Sequence, residues 1–163
     1  MRSLDGLSKQ QLKKYNRLAD HMQEFHEYFR GSFRQIYETA DRAGGSAVAV
    51  RAFVDRAQSL NQHLTLHHSI EDTHIFPILR RRMPEVAQLD ADHAEIHRGL
   101  DVYAAYLASV KKDPRMYDPQ RLRETMMLFR EVLQRHLDYE VAILKAESIS
   151  KYYTLDEVNR LPM

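Results

Sequence analysis

Three pairs of metal-binding side chains sit four residues apart in this chain: His67 with Glu71, His93 with His97, and His136 with Glu140. On an α-helix that spacing stacks two side chains one turn apart on a single face. An earlier segment offers a lone counterpart, His26. Each group interrupts an otherwise apolar stripe. His26 has Met22, Phe29 and Phe33 at helical offsets, and Leu60 and Leu64 precede His67. Leu89, Leu100 and Ala104 flank His93 and His97, while Phe129, Leu133 and Ile143 flank His136 and Glu140. His21 lies about 140° round the helix from His26 and belongs to the polar face. An unpaired buried polar group costs about 1–3 kcal/mol, so seven would rival the roughly 5–15 kcal/mol that stabilises a whole domain. The pattern demands a helical bundle whose polar layer is compensated, and a pair of metal ions supplies that compensation.

The remaining periodicity fits such a bundle. Ser8 is placed to cap a first helix running to about Arg42 and closed by Gly44-Gly45, with the stripe Leu18, Met22, Phe25, Phe29, Phe33, Ile36 and Ala40. Ser46 starts a second helix to about Arg82, and Pro77 within it predicts a kink or a slackened last turn. A third helix spans about Glu85 to Lys112, and a fourth about Pro119 to Ala146. Short connections make neighbours antiparallel. The expected fold is all-α, an up-down-up-down antiparallel four-helix bundle over about residues 8–146. Residues 147–163 form a short C-terminal extension, with Thr154 and Glu157 spaced as a capping box. The whole chain, 1–163, reads as a single domain.

Composition narrows the chemistry. There is no Cys, so disulfides, thiolate sites and iron–sulfur clusters are excluded and any metal must take nitrogen and oxygen ligands. A net charge of +1 gives no electrostatic case for nucleic acid or an anionic membrane as partner. The first ten residues lack the apolar run of a signal peptide, and no 18-residue apolar stretch occurs, so a cytoplasmic protein is expected. The 9 His are the compositional anomaly.

The phrase His67-His68-Ser69-Ile70-Glu71-Asp72-Thr73-His74-Ile75-Phe76-Pro77 resembles the central motif of hemerythrin-like HHE cation-binding domains. His26-Glu27-Tyr28-Phe29 is similar to the family's first-helix His, and Asp92-His93-Ala94-Glu95-Ile96-His97 to its third-helix pair. His136-Leu137-Asp138-Tyr139-Glu140 is similar to a last-helix His-x-x-x-Glu. The resemblance spans about Leu18 to Ala146. It implies a non-haem di-iron centre, two iron ions joined by carboxylates and an oxo or hydroxo bridge. The implied ligands are His26, His67, Glu71, His93, His97, His136 and Glu140. Glu71 and Glu140 act as bridges, His93, His97 and His136 serve one iron, and His26 and His67 serve the other.

Two departures from the family pattern stand out. Oxygen-carrying hemerythrins space the last His and its Asp further apart than His136 and Glu140, which argues against simple reversible O2 carriage. His74 replaces an apolar position and lies three residues beyond Glu71, on the metal stripe, as does His63 four residues before His67. Either suits an outer group, a proton donor or a replacement ligand, beside the plainer reading of a hydrogen-bonded His. His68 and Asp72 form a similar pair, about 100° off the His67 stripe, and are expected at the surface or outside the ligand layer.

Five imidazoles, two bridging carboxylates and one bridging oxygen leave one open position on an octahedral pair. That position suits O2, peroxide or nitric oxide. The first functional expectation is therefore a di-iron protein that binds or senses O2 or reactive oxygen or nitrogen species. The alternatives are a di-iron oxidase, oxygenase or peroxidase acting on a small organic substrate, and an iron-homeostasis or iron-sensing module. The pattern is compatible with a monomer and with a homo-oligomer.

Overall fold

The computed structural model describes residues 4–162; residues 1–3 and Met163, the ends of the expected single domain, lie outside the described residues. Ser8 caps α1 (Lys9–Tyr15) through a capping box with Gln11. The expected first helix is then broken at Asn16 and continues as α2 (Arg17–Thr39) and a 3-10 turn, Ala40–Arg42. At the break, Asn16 Oδ1 accepts the Ala146 N–H at 2.7 Å. Gly45, at φ +119°, occupies a backbone conformation that favours glycine and ends this segment. Ser46 caps α3 (Ala47–Ile70) by accepting the Ala49 N–H.

A π-helical turn, Glu71–Ile75, joins α3 to the short α4 (Phe76–Leu79). Pro77 has no N–H to return to the preceding turn, and the helix widens there, as the sequence predicts. α5 (Val86–Lys112) and α6 (Pro119–Leu144) follow, separated by the 3-10 turn Pro114–Met116. The extension adds α7 (Ala146–Ile149) and α8 (Leu155–Val158), the latter capped by Thr154 and Glu157 in a capping box. No strand occurs among the described residues, and none of their helices is long and apolar enough to cross a membrane.

The four long helices pack as a ring, α2 against α3 and α6, and α5 against α3 and α6. Contacts run in opposite register. Asp55 of α3 pairs with Lys111 of α5, Ala57 accepts from Tyr103, and His68 meets His97. Between α2 and α6, His26 meets Glu140, Arg30 meets Asp138, and Arg123 reaches the Tyr37 carbonyl.

The apolar interior falls into two clusters. One contains Phe29, Phe33, Phe53, Leu64, Tyr103, Phe129 and Leu133. The other contains Tyr15, Met22, Phe76, Leu89 and Leu144 together with Ile149, Tyr153, Val158 and Leu161 of the extension. Between them lies a polar layer of buried His26, His67, His68, Glu71, His93, His136 and Glu140.

Candidate metal centre

Two groups of potential ligand atoms converge in that layer: His68, Glu71, His93 and His136, and beside them His26, His67 and Glu140. Within each group the ligand atoms all lie within 4.8 Å of one another. Glu71 spans both groups. Its Oε1 is 2.8 Å from His67 Nε2, and its Oε2 is 3.2 Å from His93 Nε2. Glu140 reaches toward both groups from the opposite helix through one oxygen, with Oε2 3.0 Å from His26 Nε2 and 3.9 Å from His136 Nε2.

The end of α3 serves both sides at once. His67 and His68 project about 100° apart, one on each side of Glu71. His67 faces α2, its ring 5.9 Å from that of His26 and 5.1 Å from that of Phe29. His68 faces α5 and α6, stacked 3.9 Å from the His93 ring and 5.2 Å from the His136 ring. The expectation that His68 lies at the surface or outside the ligand layer is therefore corrected: it is fully buried. A helix packed against neighbours on two sides buries an arc wider than one stripe.

His97 is only partly buried and stands behind His68, with Nε2 3.3 Å from His68 Nδ1. His63 and His74 are exposed. An uninterrupted α-helix would carry His74 round to the side of Glu71, but the π turn advances the register, and Phe76 and Leu79 take the inward positions. His74 is thus off the metal stripe. His63 sits at the surface, where its Nδ1 and the Tyr28 hydroxyl are hydrogen bonded at 2.7 Å.

The donor set fits a metal. Several facing atoms are close without meeting hydrogen-bond geometry: His67 Nε2, both oxygens of Glu71 and of Glu140, and both nitrogens of His26 have no hydrogen-bond partner within the protein. His93 Nδ1 lies 2.8 Å from Asp72 Oδ1. With Nδ1–H donating to that carboxylate, His93 turns the lone pair of Nε2 toward His136 Nε2, 3.2 Å away, where it accepts only if His136 carries its proton on Nε2. Lone pairs and carboxylates facing one another at these distances repel unless a cation lies between them.

Electrostatics agree. Burial first, and then the charge of Glu140, push Glu71 well above the ordinary carboxylate range. Burial also acts to raise Glu140, but the neighbouring His26 and the charges of His136 and His67 outweigh it and hold the group down to about 2. Burial drives His67 and His68 below the ordinary imidazole value; the neighbouring imidazoles, His93 foremost, push His68 further. Neutral imidazole is the form that binds metals.

Sequence reasoning missed two participants, His68 and the carboxylate Asp92, whereas Asp72 stands outside the ligand layer, as expected, against Nδ1 of His93. Asp92 is buried, accepts from Arg135 at 2.8 Å and from Gln88 at 2.9 Å, and places Oδ2 3.8 Å from His136 Nδ1. The available signals were His68-x-x-Glu71, which also shares a helix face, and a second i, i+4 pair in Gln88 and Asp92.

An apolar groove of about 680 Å³ opens between α2 and α3, with His67 and Glu71 among its lining residues. Its walls include Phe25, Phe29, Leu66 and Ile70. Phe25, expected on the core stripe, is 42% exposed because it forms part of this wall.

A family model described as the hemerythrin HHE cation binding domain matches residues 17–147, which include every residue of the polar layer. No curated protein matches the chain, and no solved structure does.

Proposed function

The chain belongs to the hemerythrin HHE cation-binding domain family, and from that premise we propose that its polar layer holds two ions, iron foremost, at which O2 or a reactive oxygen or nitrogen species is bound or sensed. The division of Glu71 carries this reading: one carboxylate oxygen faces His67 and the other faces His93, as a bridge between two ions requires. Glu140 supports it from α6, where a single oxygen, Oε2, lies 3.0 Å from His26 and 3.9 Å from His136. In this reading one ion takes His26 and His67, the other takes His93 and His136 with one further imidazole, and the carboxylates join them. The up-down-up-down bundle rests on the opposed registers described above.

The His26–His67 side offers fewer imidazoles and adjoins the groove, so a small ligand would be taken up there when metal is bound. When bound, the pair would supply redox chemistry and a coordination position for a small ligand. The chain's own residues hold both carboxylates in a buried layer, and burial keeps His67 and His68 neutral.

Anaerobic reconstitution with ferrous iron followed by elemental analysis tests the count. About two iron ions per chain are expected; one tightly bound ion, or zinc retained in preference under excess iron, refutes the pair. The visible absorption of the loaded, reduced protein should respond to O2 and to nitric oxide. Indifference to both refutes the small-ligand reading.

The groove favours a second reading, an oxidase, oxygenase or peroxidase acting on a small apolar molecule. A volume of about 680 Å³ falls in the usual range of small-molecule sites, and its aromatic and aliphatic walls approach the His26–His67 side. Binding of 2-naphthol, lost in Leu66→Glu at unchanged iron content, with O2 consumed only when both are present, would favour the enzyme over the sensor.

A further inference from the structure

We infer that His68, not His97, supplies the third imidazole to the metal position formed by His93, His136 and Glu71, and that His97 stands outside it and orients His68. The inference rests on the two-metal reading above and departs from the family pattern, which places the third-helix pair His93 and His97 on one ion.

Geometry carries it. Each ring in this group is approached at Nδ1 from outside and turns Nε2 inward. Asp92 lies 3.8 Å from Nδ1 of His136, beyond hydrogen-bond distance, while Asp72 approaches Nδ1 of His93 at 2.8 Å and His97 that of His68 at 3.3 Å. Outer partners of this kind fix the tautomer and orientation of ligating imidazoles. With Nδ1–H directed at His97, the lone pair of His68 sits on Nε2. That atom is buried and has no hydrogen-bond partner within the protein. Leaving it unmatched in a core is costly. A ligand atom of His68 falls within 4.8 Å of those of Glu71, His93 and His136, whereas His97 belongs to neither group.

His97 is arranged for the outer role. The nitrogen nearest the layer, Nε2, is engaged by His68, and the ring is only partly buried. The exchange preserves the count of imidazoles at each ion. Adjacent residues of one helix, His67 and His68, then serve different ions, with Glu71 between them.

The test compares His68→Gln with His97→Gln, since a glutamine at 97 keeps an oxygen acceptor for His68. Each is loaded with iron anaerobically, and metal per chain and affinity are measured beside the circular dichroism of the metal-free form. His68→Gln should fall from about two ions per chain to about one. His97→Gln should keep both, with affinity lowered by no more than about 10–100-fold, as for other outer partners. Loss in His97→Gln with retention in His68→Gln, loss in both, or loss in neither overturns the assignment.

A readout on the unsubstituted chain guards against a variant that fails to fold. In zinc-loaded, 15N-histidine-labelled protein, long-range 1H–15N spectra should show His68 with a metal-bound Nε2 and a protonated Nδ1, and His97 free of metal. A metal-bound His97 overturns the inference while leaving the two-metal reading intact. Failure of the unsubstituted chain to take up two ions defeats the two-metal reading instead.

Discussion

On the side of the polar layer toward the α5–α6 turn, the apolar core is assembled from the long helices with hardly any other contribution: Phe29, Phe33, Phe53, Leu64, Leu107 and Phe129 interlock across the ring. On the opposite side, the same helices diverge from a simple ring and short elements complete the core. Tyr15 comes from α1, Phe76 and Leu79 from α4, and Ile149, Tyr153, Val158 and Leu161 from the extension. This second half is also tied by side chains reaching distant carbonyls. Arg17 donates to Val158 and Leu161, the Tyr153 hydroxyl to Ile78, and Arg82 to Tyr152. Most of the extension lies beyond residue 147, where the family match ends. The first half is therefore built almost wholly by the long helices, while the second is completed by short elements that cover the polar layer.

Removing a large ring from the first half should do most damage. Phe129 is fully buried against Phe33 and Tyr103, and Phe129→Ala should cost about 3–5 kcal/mol and lower the melting temperature of the whole chain. Chemical denaturation checks it. Unaltered stability would mean that the first half is not the base on which the rest stands.

Tyr153→Ala attacks the cover, where the ring is buried and stacked under the Arg82 guanidinium. A loss of about 2–4 kcal/mol is expected, with amide exchange accelerated around α1, α4 and α8 and unchanged along α3 below Leu64. Acceleration spread evenly would erase the distinction between the halves.

Gly99 probes the contact next to the layer. A Cβ there would lie 2.8 Å from Phe129 Cβ and 3.1 Å from the α6 backbone. Gly99→Ala should cost about 1–3 kcal/mol by overpacking and weaken metal binding by moving His93 from His136. Titration calorimetry separates the two effects; unchanged affinity would show that ligand spacing is set elsewhere.

The smallest effect concerns the charge that pins the cover. The backbone N–H of Thr154 first, and then Arg82, hold Glu157 down to about 2, against an ordinary value of 4.5. A depressed carboxyl contributes stability that is present above the unfolded value and lost as pH falls through the folded one. Amide protection of α8 should therefore decline between about pH 4.5 and 2, and Glu157→Gln should flatten the decline. An identical pH profile in that variant would assign the change to other carboxylates.

The halves also differ in how far sequence anticipates them. In the first, period and caps suffice: Ser46, Pro119 and the stripe through Leu122, Met126, Phe129 and Leu133 place α3 and α6 closely. In the second, long-range contacts override the local pattern. Asn16, at the break between α1 and α2, accepts from Ala146, a partner 130 residues away that periodicity cannot reveal. The candidate site divides similarly. His26, His67, Glu71, His93, His136 and Glu140 come together in the layer as their spacing suggests. His68 escapes because adjacent residues are assigned to opposite faces by a single-stripe reading, and His74 misleads because that reading assumes an unbroken period.

The π turn from Glu71 to Ile75 bears on what changes of length this chain tolerates. It accommodates one residue more than an α-helix would need between Glu71 and Phe76, whose N–H returns to the Glu71 carbonyl. A chain shortened by one residue inside the turn can close it as ordinary helix, with Phe76 and Leu79 still inward and the ligands untouched. The same deletion anywhere from Leu64 to Leu66 would rotate His67 and His68 about 100° against everything that precedes them. Along this helix, tolerance to insertion and deletion is concentrated in a single turn, immediately after the residue that joins the two ligand groups.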